Sequence, residues 1–180
     1  MINNLLYNSH FVSWVFEGKE VGINIENLFF ASVDENNEYV YVNAGENYIK
    51  QKVYYFNFDG TLKMYYDLFT GSIEWNYKEE KQTLVIKDLI EIGYFPKKEI
   101  LLVLFNEDKR EVIGLNLAGE YLYEIGKPVG YRMMYFEEFP DNVAVVCDGD
   151  KLQEDRFGRS RTNFLLNQDD GTLYKGNLAY

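Results

Sequence analysis

A hairpin-like stretch recurs three times along the chain, and this recurrence restricts the folds that the sequence can adopt. It reads VYYFNFDGTLKMYYD at 53–67, EVIGLNLAGEYLYEI at 111–125 and TNFLLNQDDGTLYKG at 162–176. In each copy an apolar run ends near an asparagine, a glycine follows in the turn, and a run containing Leu and Tyr comes next. Apolar and aromatic runs on either side of a turn signal predict two antiparallel strands joined by a hairpin.

The turn glycines indicate a longer repeating unit. Gly60, Gly119 and Gly171 are 59 and then 52 residues apart. Upstream of each hairpin lies another apolar run, and upstream of that an aromatic run, which gives four strands per unit. We therefore predict a single all-β domain over residues 1–180, built from antiparallel four-stranded meanders. The predicted units lie at about residues 27–67, 91–125 and 132–176.

A four-stranded meander that must stack on its neighbours resembles the blade of a β-propeller. The resemblance is to blade-like repeats in general, because the sequence lacks the Trp-Asp and Gly-His signatures of the better-defined blade families. It implies a small or incomplete propeller-like array, to which predicted hairpins at 11–25 and 72–89 also contribute. A β-sandwich or barrel made of similar hairpins is the alternative.

One segment could form either a helix or a strand. Residues 96–112 begin with proline and carry apolar residues at helical spacings. The run at 99–105 is apolar almost throughout, however, and similar turn signals flank it and the other segments. We therefore predict a strand that is covered on both faces.

Acidic residues dominate the charge, with 29 Asp and Glu against 18 Lys and Arg and a net charge of −11. This charge repels phosphates and anionic membranes, so we expect no nucleic acid or membrane partner and instead expect a basic protein. Cys147 is the single cysteine, and the N-terminal sequence lacks a basic region typical of a secretion signal. Both features predict a cytoplasmic protein.

Residues suited to catalysis or metal binding are few. His10 is the single histidine, and nothing marks the neighbouring Ser9 as a nucleophile. One Cys and one His cannot form a structural zinc site, and Asp148 and Asp150 do not complete a calcium loop. We therefore predict no catalytic residue, no metal and no cofactor, while adjacent carboxylates keep a carbohydrate-active enzyme as an alternative.

Two features indicate binding. The chain has 16 tyrosines, which supply large contact areas with few rotatable bonds. The sequence DRFGRSR at 155–161 places arginines in one loop, and guanidinium groups suit phosphates or carboxylates. The candidate binding residues are Tyr39, Tyr41, Tyr65, Tyr66, Tyr121, Tyr123, Asp169, Asp170, Arg156, Arg159 and Arg161.

These features together predict a protein-binding domain without enzymatic activity. The most specific hypothesis is an immunity protein or antitoxin that neutralises a basic, nuclease-type toxin. Carboxylates would then mimic the phosphates that the toxin binds and would speed association. A propeller-like ligand sensor or scaffold is a further alternative.

Overall fold

The computed structural model describes residues 2–179, and within them it contains 17 β-strands, three short 3-10 turns and no α-helix. The strands form four antiparallel sheets, and within each sheet every strand pairs with its neighbours in sequence. The prediction of an all-β fold of antiparallel meanders is confirmed. The chain divides into two compact units, and the division falls between Ile86 and Lys87.

The first unit begins with a three-stranded sheet. Its strands are β1 (Ile2–Tyr7), β2 (Phe11–Phe16) and β3 (Lys19–Asn24). The turn between β2 and β3 has positive φ at both Glu17 and Gly18, 51° and 75°. A two-residue type I′ turn requires this geometry, because its twist matches that of the strands.

A six-stranded sheet completes the first unit. Its strands are β4 (Leu28–Asp34), β5 (Tyr39–Ala44), β6 (Lys52–Asn57), β7 (Leu62–Asp67), β8 (Ser72–Tyr77) and β9 (Glu80–Val85). Strands β4–β7 occupy the region of the first predicted unit. The hairpin predicted at 72–89 extends the same sheet, but its second strand ends at Val85. Leu89, which the prediction included, is the first residue of β10 in the next sheet.

The second unit contains two four-stranded sheets. The first has β10 (Leu89–Phe95), β11 (Ile100–Phe105), β12 (Glu111–Asn116) and β13 (Tyr121–Ile125). The second has β14 (Tyr131–Glu138), β15 (Val143–Gly149), β16 (Thr162–Leu166) and β17 (Leu173–Leu178). The segment that also admits a helix forms a 3-10 turn at Pro96–Lys98 and then the buried strand β11.

The three recurring hairpins share a turn glycine with positive φ. Each turn glycine has a φ between 77° and 90°, and its N–H donates to the carbonyl of an asparagine that ends the preceding strand or directly follows it. Gly60 bonds to Asn57 and Gly119 to Asn116, three residues earlier, whereas Gly171 bonds to Asn167, four residues earlier, because the third turn has one more residue. Positive φ favours glycine over other residues, so one backbone requirement explains the sequence repeat.

In each unit a hydrophobic core lies between the two sheets. Trp14 and Val42 belong to the first core, and Leu102 and Val145 to the second. The first strands of the paired sheets contact each other, β1 with β4 and β10 with β14. Propeller blades stack in this radial way. Each sheet keeps two edge strands within residues 2–179, so none closes into a barrel.

Within the same residues no helix has the length and apolar character required to cross a bilayer.

Candidate functional site

An open concavity of about 620 Å³ lies at the hairpin between β4 and β5. We call it the acid–tyrosine concavity. It is lined by Ser32, Val33, Asp34, Glu35, Asn36, Tyr39 and Tyr41. Strand pairing places Asp34 directly opposite Tyr39, so the hairpin itself brings carboxylate and aromatic groups together.

The carboxylate of Asp34 is held in a fixed orientation. It accepts hydrogen bonds from the backbone N–H of Asn37 at 2.9 Å and from the side-chain amide of Asn37 at 3.0 Å. Burial by itself would raise the pKa of Asp34, but the hydrogen bonds from Asn37, Tyr39 and Asn36 outweigh burial and lower it. Asp34 therefore carries its negative charge at neutral pH, beside the exposed Glu35.

Aromatic rings form a rigid surface next to these carboxylates. The rings of Tyr39 and Tyr41 pack edge-on against Tyr55, with centroid distances of 4.9 Å and 5.2 Å. Phe30 packs edge-on against Tyr41 at 6.2 Å and is 41% exposed. Interlocked rings present contact area that loses little conformational entropy when a partner binds.

A lysine of the chain already lies at the margin of this surface. The ammonium group of Lys63 is 5.8 Å from the ring centroid of Tyr39. It also donates a hydrogen bond of 2.9 Å to the carbonyl of Asn37. The structure therefore holds one cation between the ring of Tyr39 and a backbone carbonyl of the turn. Sites that bind cations use the same contacts.

Two other tyrosine candidates lie away from this surface. Tyr66 is fully buried. Tyr65 lies on the opposite face of the sheet, where its ring packs on Tyr54 at 4.9 Å and its hydroxyl donates to Asp67 at 3.4 Å. Burial, and then the charge of Asp67, raises the pKa of Tyr65, so its hydroxyl stays protonated.

A second group of candidates comes together in the second unit. Tyr123, on β13, packs against the backbone of Gly171, the glycine that follows Asp169 and Asp170 in the turn between β16 and β17. Burial raises the pKa of Tyr123 to about 12, and the charges of Asp170 and Asp169 add to this effect. Tyr121 is 61% exposed at the start of the same strand.

The arginine loop is largely neutralised by carboxylates. Arg159 forms two hydrogen bonds to Asp155, at 2.9 Å and 2.7 Å. Arg161 forms two to Asp148, at 2.6 Å and 3.1 Å. Arg156 forms no ion pair with any residue from 2 to 179. Its charge is therefore the part of this loop that remains available to an anion.

Groups suited to catalysis are sparse in the described part of the chain. No three His, Cys, Asp or Glu side chains from residues 2–179 converge as a metal site would require. Hydrogen bonds lower the pKa values of Asp34, Asp59, Asp155 and Asp170 against the effect of burial. A general acid needs a raised pKa, so these four carboxylates lack the property that acid catalysis requires.

We predict that the single thiol is unreactive in the folded protein. Cys147 is fully buried on β15, and burial, followed by the charge of Asp148, raises its pKa to about 12. Alkylation by iodoacetamide at pH 8 should be on the order of a thousandfold slower in the native state than in denaturant, because the thiolate is the reactive form. Equal rates in both conditions would contradict the buried position.

Sequence reasoning missed Asp34, Glu35, Phe30 and Tyr55. Asp34 and Glu35 begin the polar turn that precedes Tyr39, so a hairpin alignment of this turn would have placed them beside the predicted tyrosines. Phe30 and Tyr55 join the surface through strand pairing, which the local sequence does not reveal.

No protein-family model matches the chain, and no curated protein matches it significantly. Among solved structures the chain is similar to Hsv2 of Kluyvelomyces marxianus, a β-propeller protein, with a TM-score of 0.52 and 11% sequence identity. The match covers 98% of this chain and 67% of that one. Identity at this level shows the fold alone. The chain is therefore an all-β protein of antiparallel, propeller-like meanders.

Proposed function

We propose that this protein binds a basic protein through the acid–tyrosine concavity and catalyses no reaction. The observation that carries the proposal is the open aromatic surface of Tyr39, Tyr41 and Phe30 beside the charged Asp34 and Glu35. The net charge of −11 acts in the same direction, because it attracts a positively charged partner over distance.

A lysine or arginine of the partner fits this surface in a simple way. Its charged group would approach the exposed Glu35, while its aliphatic stem or guanidinium plane would lie on Tyr41. A cation over an aromatic ring contributes roughly 0.5–1 kcal/mol when exposed and more when water is excluded. Lys63 makes a contact of this type with Tyr39 within the chain itself.

The most specific form of this proposal is an immunity protein or antitoxin that neutralises a basic, nuclease-type toxin. A nuclease site binds phosphates, so fixed carboxylates such as that of Asp34 would compete for the same positive groups. The net charge of −11 supports the immunity-protein form of the proposal. Identifying the partner would test it.

A pull-down from lysate of the source cells tests the proposal. The tagged protein is used at about 0.1 M and about 0.5 M salt, which reduces the Debye length from about 10 Å to about 4 Å. We expect mass spectrometry to identify a stoichiometric basic protein that is held at low salt and weakened at high salt. A basic nuclease would support the immunity form. Retention of no basic protein at either salt would overturn the proposal.

Substitutions then locate the interface on the retained partner. We expect Tyr41→Ala to weaken binding about tenfold, as truncation of an aromatic anchor does. Glu35→Gln should slow association more than it speeds dissociation. Glu46→Gln is the matched control, because Glu46 is also exposed but lies at the opposite end of the same sheet. Equal effects of Glu35→Gln and Glu46→Gln would exclude the concavity as the interface.

A further inference from the structure

The edge strand β9 (Glu80–Val85) has one side whose backbone is unpaired. It pairs with β8 along its other side, and no further strand within residues 2–179 pairs with it. The backbone groups of Lys81, Thr83 and Val85 form no hydrogen bond to any loop or turn of these residues. A row of unpaired N–H and C=O groups can accept another strand.

β9 also lacks the irregularity that protects most other edges of this fold. The four sheets have eight edge strands between residues 2 and 179, and six of these pair with their neighbour through a register shift. A shift of this kind bends an edge away from further pairing. Only β3 and β9 pair without one. β3 carries Gly22 near its centre, which offers no side chain to pack, so β9 is the more suitable edge.

The turn before β9 determines which of its residues face outward. Lys78 and Glu79 have φ of 50° and 67°, as in a two-residue type I′ turn, and Tyr77 lies directly opposite Glu80. The pair that closes such a turn is hydrogen-bonded, and hydrogen-bonded pairs alternate along an antiparallel ladder. The N–H and C=O groups of residues 81, 83 and 85 therefore point away from β8.

We propose that two copies of this chain pair antiparallel along β9 and form a dimer. A two-fold axis at the centre of the pair places Thr83 opposite Thr83 of the second copy, and Lys81 opposite Val85 of the second copy. All the outward-facing residues of β9 then bond to the second copy, with about six N–H···O=C hydrogen bonds in total. The acid–tyrosine concavity lies on β4 and β5, at the other edge of the sheet, so this contact is separate from the proposed function.

The side chains fit this register. Threonines directly opposite each other are a favourable pair in antiparallel sheets. Val85 is 71% exposed, and the aliphatic stem of Lys81 from the second copy would lie across from it. The ammonium group of Lys81 forms an ion pair of 2.8 Å with Glu74. The stem is therefore already oriented along the strand and can cover the exposed valine.

The charge of β9 favours a second copy over the basic partner of the proposed function. Glu80 and Lys81 cancel, so the strand has no net charge with which to attract a cationic segment. The register centred on Thr83 also places no like charges directly opposite each other, which would be unfavourable. A neutral edge with matched side chains is therefore complementary to itself.

Sedimentation velocity of the purified full chain tests the proposal. One strand pair buries less than the roughly 1,200 Å² of stable interfaces, so we expect a monomer–dimer equilibrium with a dissociation constant on the order of 100 µM. Thr83→Pro should weaken the dimer about tenfold or more, because proline removes the central outward N–H. An edge strand tolerates proline where its N–H faces solvent, so the monomer should remain folded.

Charged variants of Thr83 test the register itself. Because Thr83 faces its own copy, Thr83→Lys places two like charges opposite each other, and so does Thr83→Glu. Each should weaken the dimer roughly fivefold, whereas an equimolar mixture of the two should form a heterodimer at least as tight as the original dimer. Asn24→Lys is the matched control, because it adds the same charge to an exposed position of β3. It should leave the dimer unchanged.

Salt separates this proposal from the proposed function. Each copy has a net charge of −11, so two copies repel each other over distance. We expect a tighter dimer at about 0.5 M salt than at about 0.1 M, whereas a basic partner should be weakened. Monomer at every concentration, equal dimer affinity in Thr83→Pro, no gain on mixing the two charged variants, or a dimer weakened by salt would each overturn the proposal. None of these results depends on the outcome of the pull-down.

Discussion

We expect Gly71→Ala to lower the free energy of unfolding by about 3 kcal/mol or more. Gly71 has a φ of 73°, which costs a residue with a side chain roughly 1–2 kcal/mol. An added Cβ would also lie 2.0 Å from the carbonyl oxygen of Ile86, so the backbone must move. That movement strains two hydrogen bonds, from Gly71 to Asp67 at 2.8 Å and from Ile86 to Gly71 at 2.9 Å. Urea denaturation of the purified chain measures the loss.

Gly158→Ala is the control for this prediction. Gly158 has nearly the same φ, 75°, but an added Cβ would meet nothing within 4 Å. We therefore expect a loss of only about 1–2 kcal/mol, from backbone strain alone. The difference between the two variants isolates the contact with Ile86. Equal losses would mean that the turn at Gly71 relaxes without cost.

The recurring hairpins could be predicted because their cause is local. An asparagine at the end of a strand and a glycine with positive φ define the turn, and both are visible in the sequence at Asn57 and Gly60. The six-stranded sheet was not predicted, because nothing local decides whether the hairpin of β8 and β9 joins the strands before it. The turn from Asp67 to Gly71, which places β8 beside β7, decides this.

The candidate binding residues could also be predicted only as far as their arrangement is local in sequence. Tyr39 and Tyr41 are two residues apart on one strand, so the sequence predicts that their side chains lie on the same face. Tyr65 and Tyr66 are adjacent and must point to opposite faces, but the sequence does not reveal which face is covered, and Tyr66 is fully buried. The pairing of Arg161 with a carboxylate 13 residues away likewise depends on the fold.

Trp14→Ala should destabilise the chain by about 4 kcal/mol, as removal of a large buried aromatic side chain does. Trp14 is 1% exposed in the core of the first unit. Its indole N–H donates a hydrogen bond of 2.6 Å to the carbonyl of Phe58, in the turn between β6 and β7. The substitution therefore creates a cavity and also leaves that carbonyl without this donor. Trp14→Phe retains a ring and loses the donor, so we expect an intermediate loss of about 2 kcal/mol.

Hydrogen exchange in Trp14→Ala tests whether the two sheets of the first unit depend on each other. Val12 on β2 and Val40 and Val42 on β5 belong to one core, and none has exposed surface. A propeller-like meander buries a face only by stacking on its neighbour, so a defect in β2 should reach β5. We expect the amides of all three valines to lose protection together. Lost protection at Val12 alone would mean that the six-stranded sheet is stable without its neighbour, and that stacking contributes little to this unit.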